Sequence, residues 1–106
     1  MKLKEFLKKE NWAQHTHAAD YRDLEVHPCD PEAIRFCVEG ALAHLNDDED
    51  ITVSEFVNEQ ENRHDSAYFK LQEFVRDLGH DTIPEWNDHQ HTTFREVEAV
   101  LEYLNI

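Results

Sequence analysis

The rarest residues in this chain constrain it most: only two glycines and three prolines occur among 106 residues. Sandwiches and barrels reverse direction every few residues and need many positions suited to tight turns. So poor a supply predicts helices joined by short connections, an all-α fold. Residues 1–106 read as a single domain, because two cores of half the size would each bury too little surface. Two Trp, three Tyr and six Phe, within 40% hydrophobic residues overall, suffice to close one modest core.

Capping residues then place the helices. Leu3, Phe6 and Leu7, ringed by Lys2, Lys4, Lys8 and Lys9, predict a short amphipathic helix from Leu3 to about Trp12. Residues 13–29 show no regular period and read as a loop, with a short extended piece around Leu24 to Val26. Asp30 reads as an N-cap, Pro31 as the first helical residue and Glu32 as a complement to the positive helix end. Ile34, Cys37, Val38, Ala41, Leu42 and Leu45 follow as an apolar stripe, ended by Asn46 and the acidic run Asp47 to Asp50. Thr52 with Glu55 has capping-box spacing and opens a helix from Val53 to about Asn62. Asp65 or Ser66 opens another that reaches Leu78 and stops at Gly79. Residues 80–91 read as a loop, and Thr93 with Glu96 forms a second capping box before the last helix. The expected product is a compact bundle of four to five short helices. Its core would hold Leu7, Ile34, Cys37, Val38, Leu42, Phe74, Leu78, Trp86, Val97 and Leu101.

Several of these residues also fall in a recognisable order. Trp12 is followed by Phe36, Cys37 and Gly40-Ala41-Leu42, then by Trp86-Asn87-Asp88, then by Thr93, Glu96 and Val97. In this the chain resembles a family of small bacterial and phage domains known only as a domain of unknown function. The resemblance spans most of the chain and implies a compact helical fold, but no activity. Many members carry a Cys directly after the first Trp, where this chain has Ala13. That departure weakens any chemistry that needs two thiols.

The formal charge is −14. Such a surface repels phosphate backbones and anionic membranes, which disfavours direct nucleic-acid or membrane binding. It attracts proteins with basic surfaces. Eight histidines add a response to pH. Two cysteines, Cys29 and Cys37, are too few for a disulfide framework. On one helix they would lie roughly 11 Å apart, beyond the reach of a disulfide. Reduced thiols, with neither a signal peptide nor a transmembrane-length run, suit a cytoplasmic protein.

Five features could carry chemistry. Cys37 needs a base or a helix N-terminus to become a nucleophile. It is placed about two turns into its expected helix, with His44 roughly 10 Å away, so burial as a small hydrophobe is the simpler reading. Gly40, in mid-helix, costs about 1 kcal/mol relative to Ala, which calls for close packing, expected from Trp86 or Trp12. Trp86-Asn87-Asp88 reads as a core anchor with an Asx turn, or as a pocket lined by Asn87 and Asp88. His15/His17 and His89/His91 are His-x-His pairs, whose side chains share one side of an extended backbone and could hold a metal, with Asp88 or Asp20 as a further ligand. Finally, Asp47, Asp48, Glu49 and Asp50 lead into Glu55 and Glu59, which share a helix face. This short carboxylate ridge could meet a basic protein surface or imitate DNA phosphates.

The function expected from the residues is non-catalytic: an accessory protein of a bacterium or phage, without cofactor, that binds a protein partner through its acidic surface. A DNA-mimic inhibitor of a nucleic-acid-binding protein, as in phage anti-defence, is one alternative. A metal-binding or Cys/His-dependent enzyme is the other. Oligomeric state is left open.

Overall fold

Five helices of this chain begin in the same way, with a side chain accepting the backbone N–H three residues on. The computed structural model describes residues 1–106. Its helices are α1 (Leu3–Phe6), α2 (Val38–Asn46), α3 (Val53–Glu61), α4 (Ala67–Asp77), α5 (Ile83–Asp88) and α6 (Phe94–Leu104). The caps of α2 to α6 are Cys37, Thr52, Ser66, Thr82 and Thr93. A hydroxyl cap is worth about 1 kcal/mol through the donor it satisfies. The protein is mostly helical, as expected, with six helices rather than four or five. Two short strands, β1 (Ala18–Ala19) and β2 (Arg35–Phe36), add a small antiparallel ladder pairing Ala18 with Phe36 and Ala19 with Arg35.

The core lies between α2, α4, α5 and α6. Val38, Ala41, Leu71, Val75, Ile83, Trp86, Val97 and Leu101 are sealed from solvent there. Each large apolar side chain so placed contributes about 1.5–3 kcal/mol of transfer free energy. An aromatic cluster closes the α1 end: the Phe6 ring lies 5.3 Å from Phe36 and 4.9 Å from His44.

Four expectations about local structure need correction. The first helix stops at Phe6, because Asn11 competes for its backbone, accepting Lys8 N–H at 2.6 Å and donating to the Phe6 carbonyl at 3.1 Å. Trp12 then bridges to Phe36. Asp30-Pro31 makes a turn rather than a helix start, with Asp30 accepting Glu32 N–H at 2.8 Å. The chain beyond extends into β2, where the Ala19 carbonyl accepts Ile34 N–H at 2.9 Å and the Phe36 carbonyl accepts Ala13 N–H at 2.8 Å. These ladder bonds outweigh the local helix signal, and the extended backbone suits Ile34 and Phe36. As a result Ile34 leaves the core and is 49% exposed; Leu78, beyond the last turn of α4, is 49% exposed as well. Residues 83–88 form α5 instead of a loop: Pro84 sits in the first turn, where its missing N–H costs nothing. Thr93 caps α6, but Glu96 does not complete a capping box, for its carboxylate accepts the Trp86 indole N–H at 2.8 Å.

Other signals hold. Thr52 and Glu55 form the reciprocal box, and Gly79 takes a left-handed conformation (φ +99°) after α4. Residues 24–26 pair with β1 as a partial third strand through an Ala19–Glu25 bridge. No helix is long and apolar enough to cross a membrane.

Candidate functional site

The Trp86-Asn87-Asp88 triplet lies on α5, where Trp86 and Asn87 are 0% exposed. Asn87 Oδ1 accepts the Trp12 indole N–H at 2.8 Å and the Val38 N–H at 2.9 Å. Its Nδ2 donates to the Ala13 carbonyl at 3.0 Å and to Asp88 Oδ1 at 2.8 Å. One amide thereby joins three stretches of chain, using all its hydrogen-bonding capacity. Asp88 Oδ1 also accepts the His15 N–H at 2.9 Å. Trp12, Trp86, Asn87, Asp88 and Glu96 are thus the polar skeleton of the fold.

Cys37 caps α2 instead of sitting two turns inside a helix. Its Sγ accepts the Gly40 N–H at 3.2 Å. A helix N-terminus favours a thiolate, but here burial dominates and pushes the thiol up to about 12. Cys29, also free, is raised by burial and by nearby carboxylates. Gly40 does serve close packing, though neither tryptophan is the partner. A Cβ at Gly40 would lie 1.8 Å from the His17 carbonyl oxygen.

The two histidine loops do meet: Gln14 Nε2 donates to the Asn87 carbonyl at 2.9 Å. His15, however, has φ +67°, which breaks the extended geometry on which a His15/His17 pair depends. His15 stands beside Asp88, and His17 bonds to Glu39. The rings of His89 and His91 lie 5.4 Å apart, and the His89 carbonyl is 3.4 Å from Gln14 Nε2. No group of three or more His, Cys, Asp or Glu side chains is arranged to hold a metal ion. Asp20 is buried and occupied, accepting the Arg22 and Leu24 N–H groups and the Arg22 guanidinium at 2.8 Å. That guanidinium holds its carboxyl below the usual range.

The chemistry instead gathers at a cleft of about 260 Å³ between α3, α4 and the start of α5. Close approach of the His17 backbone to Gly40 sets the His17 ring against Glu39, one residue away on α2. His17 Nε2 lies 3.1 Å from Glu39 Oε1, and Tyr68 donates its hydroxyl to Glu39 Oε2 at 2.8 Å. Gln72 Nε2 continues the chain to Glu61 Oε1 at 3.4 Å. Glu39 and Tyr68 are buried, while the His17 side chain is 42% exposed. The hydrogen bond to Glu39 raises the His17 pKa above its ordinary value; burial opposes this, and the charges of Glu39, Glu25 and Asp88 add to it. Burial, with Glu39 beside it, raises the Tyr68 hydroxyl far above its ordinary range. Glu39, Tyr68, Gln72 and Glu61 were not legible as site residues. Apart from the Tyr68–Gln72 contact within α4, their partners are 11 to 29 positions away, as in the Tyr68–Glu39 bond.

The carboxylate ridge lies on the opposite flank of α3 from this cleft lining. Asp47, Asp48, Glu49, Asp50, Glu55 and Glu59 are all exposed. Asp47 ends α2 in a left-handed conformation, Glu55 completes the Thr52 box, and Glu59 pairs with Arg63 at 2.8 Å. Residues 47–61 contain no Lys or Arg.

Residues 2–104 match a family described as a family of unknown function, DUF6197. No curated protein and no solved structure matches the chain.

Proposed function

We propose that this chain, which belongs to the DUF6197 family, works by binding rather than by chemistry, meeting a protein partner of basic surface through its carboxylate ridge. One observation carries the reading: from Asp47 to Glu59 six exposed carboxylates occur with no basic residue among them. A field of one sign speeds the approach of an oppositely charged partner and sets its orientation. The distribution of the other reactive groups supports it. Trp86 and Asn87 are spent on the core, and Cys37 is a protonated cap.

The test is capture of partners from the native cell at low salt and at about 1 M salt, where screening falls to about 3 Å. Salt-sensitive capture, lost when Asp47, Asp48, Glu49 and Asp50 are changed together to Asn and Gln, is the expected result. Competition by duplex DNA would identify the DNA-mimic form of this reading. Capture that is indifferent to both salt and the substitutions would sink it.

A further inference from the structure

We infer that the cleft beside His17 and Glu39 is a binding site for a guanidinium group. This goes beyond the ridge reading, because no ridge residue lines the cleft. The cleft excludes most other ligands. No Lys or Arg lines it, and its one basic group, His17, is already matched by Glu39, with Glu61 as a second carboxylate, which argues against anions. Only three of its eleven lining residues are hydrophobic, which argues against apolar ligands. At about 260 Å³ it falls just below the size of drug-sized pockets and suits a group the size of one side chain.

Of the two cleft carboxylates, only Glu61 lacks an ionic partner. His17 and Glu39 satisfy each other at 3.1 Å, so that pair is neutral when His17 is protonated. Glu61 is exposed at the cleft; its Oε1 accepts Gln72 Nε2 at 3.4 Å, but it forms no ion pair. Its neighbours on the walls, Asn58 and Thr82, are polar. Val57 and Pro84 supply apolar walls. A planar, weakly hydrated guanidinium uses both at once, pairing two N–H groups with a carboxylate while its faces lie on hydrocarbon. A compact, strongly hydrated ammonium uses only the first. The source is either a free guanidine compound or an arginine of a partner protein.

The experiment titrates nitrogen-labelled protein with N-acetyl-arginine amide and follows backbone amide shifts, with N-acetyl-lysine amide as the competitor chemistry. The expected result is saturable shifts confined to the Asn58, Glu61 and Thr82 region, with weaker response to the lysine probe. Glu61→Gln should lower the affinity by up to about fivefold, the worth of a solvent-exposed charge pair. Glu59→Gln, on the same helix, should leave it unchanged. Both side chains are exposed, so both variants should fold, which their melting curves check. A short arginine-containing peptide is the second arm. Tighter binding than the amide assigns the source to a protein partner, and equal binding assigns it to a small molecule. Shifts that rise without saturation, or match for arginine and lysine, or survive Glu61→Gln would overturn the site. None of these outcomes bears on capture through the ridge.

Discussion

Replacing Gly40 by Ala should destabilise the protein, although the same change in an ordinary helix interior stabilises by about 1 kcal/mol. The reversal follows from geometry. The new Cβ would lie 1.8 Å from the His17 oxygen and 2.6 Å from its carbonyl carbon, where ordinary contact begins near 3.4 Å. Relief requires the His17 backbone or α2 to retreat by about 1.6 Å, the difference of those two distances. That carbonyl cannot retreat freely, because it accepts the Cys37 N–H at 3.2 Å, immediately beyond the β1–β2 pairing. Overpacking of this kind costs about 3 kcal/mol or more, which leaves a net loss of about 2 kcal/mol or more after the helix gain. Against a total stability of about 5–15 kcal/mol this is a large fraction. The melting temperature should drop by about 10 °C or more. Urea and thermal unfolding measure it. Gly79→Ala is the control: nothing lies within 4 Å of its Cβ, but φ is +99°, so its cost is conformational, about 1–2 kcal/mol. In Gly40→Ala the His17 pKa should also fall toward its ordinary value, since the ring is carried away from Glu39. A Gly40→Ala protein as stable as the parent would refute the close-approach argument.

Three further outcomes follow from the polar interior. Asn87→Asp keeps the shape but replaces a donor with an acceptor, 3.0 Å from the Ala13 carbonyl and 2.8 Å from Asp88. It should cost about 3–5 kcal/mol by chemical denaturation, and a loss below about 1 kcal/mol would contradict the assigned network. His17 has a folded pKa above 6.5, so its protonation stabilises fully below that value and the benefit fades as pH rises through the folded pKa. The stability gap between the parent and His17→Gln should therefore narrow as pH rises above 6.5 and through the raised folded pKa, and a gap that widens would reverse the assignment. With its thiol at about 12, Cys37 should react with iodoacetamide only as the protein unfolds, after Cys29; rapid native labelling of Cys37 would show it to be open and activated.

What the sequence showed depended on how far apart the interacting residues lie. Thr52 with Glu55, Ser66, Gly79 and the Val97–Val100–Leu101 face are local signals, and each element formed as its own residues dictate. Asp30-Pro31 is an equally local signal that failed. The ladder between residues 13–19 and 34–37 fixed an extended backbone there, leaving the start of α2 to Cys37, an uncommon cap. Gly40 correctly announced a close approach, but a glycine does not name its neighbour. The cleft was hidden for the same reason. Glu39 looks like an ordinary first-turn acid of α2, and only the fold places His17 and Tyr68 on either side of its carboxylate.

The single amide of Asn87 also decides how the molecule comes apart. The Val38 N–H is buried and bonded to a side chain 49 positions away, with Trp12 on the same oxygen. Fraying of the first turn of α2 must therefore also break a contact to α5, whose acceptor is held in turn by the Trp12 indole. Exchange of that one proton with solvent deuterium therefore reports separation of α2 from α5 rather than melting of a helix by itself. It makes Val38 the amide that reads the α2–α5 junction directly.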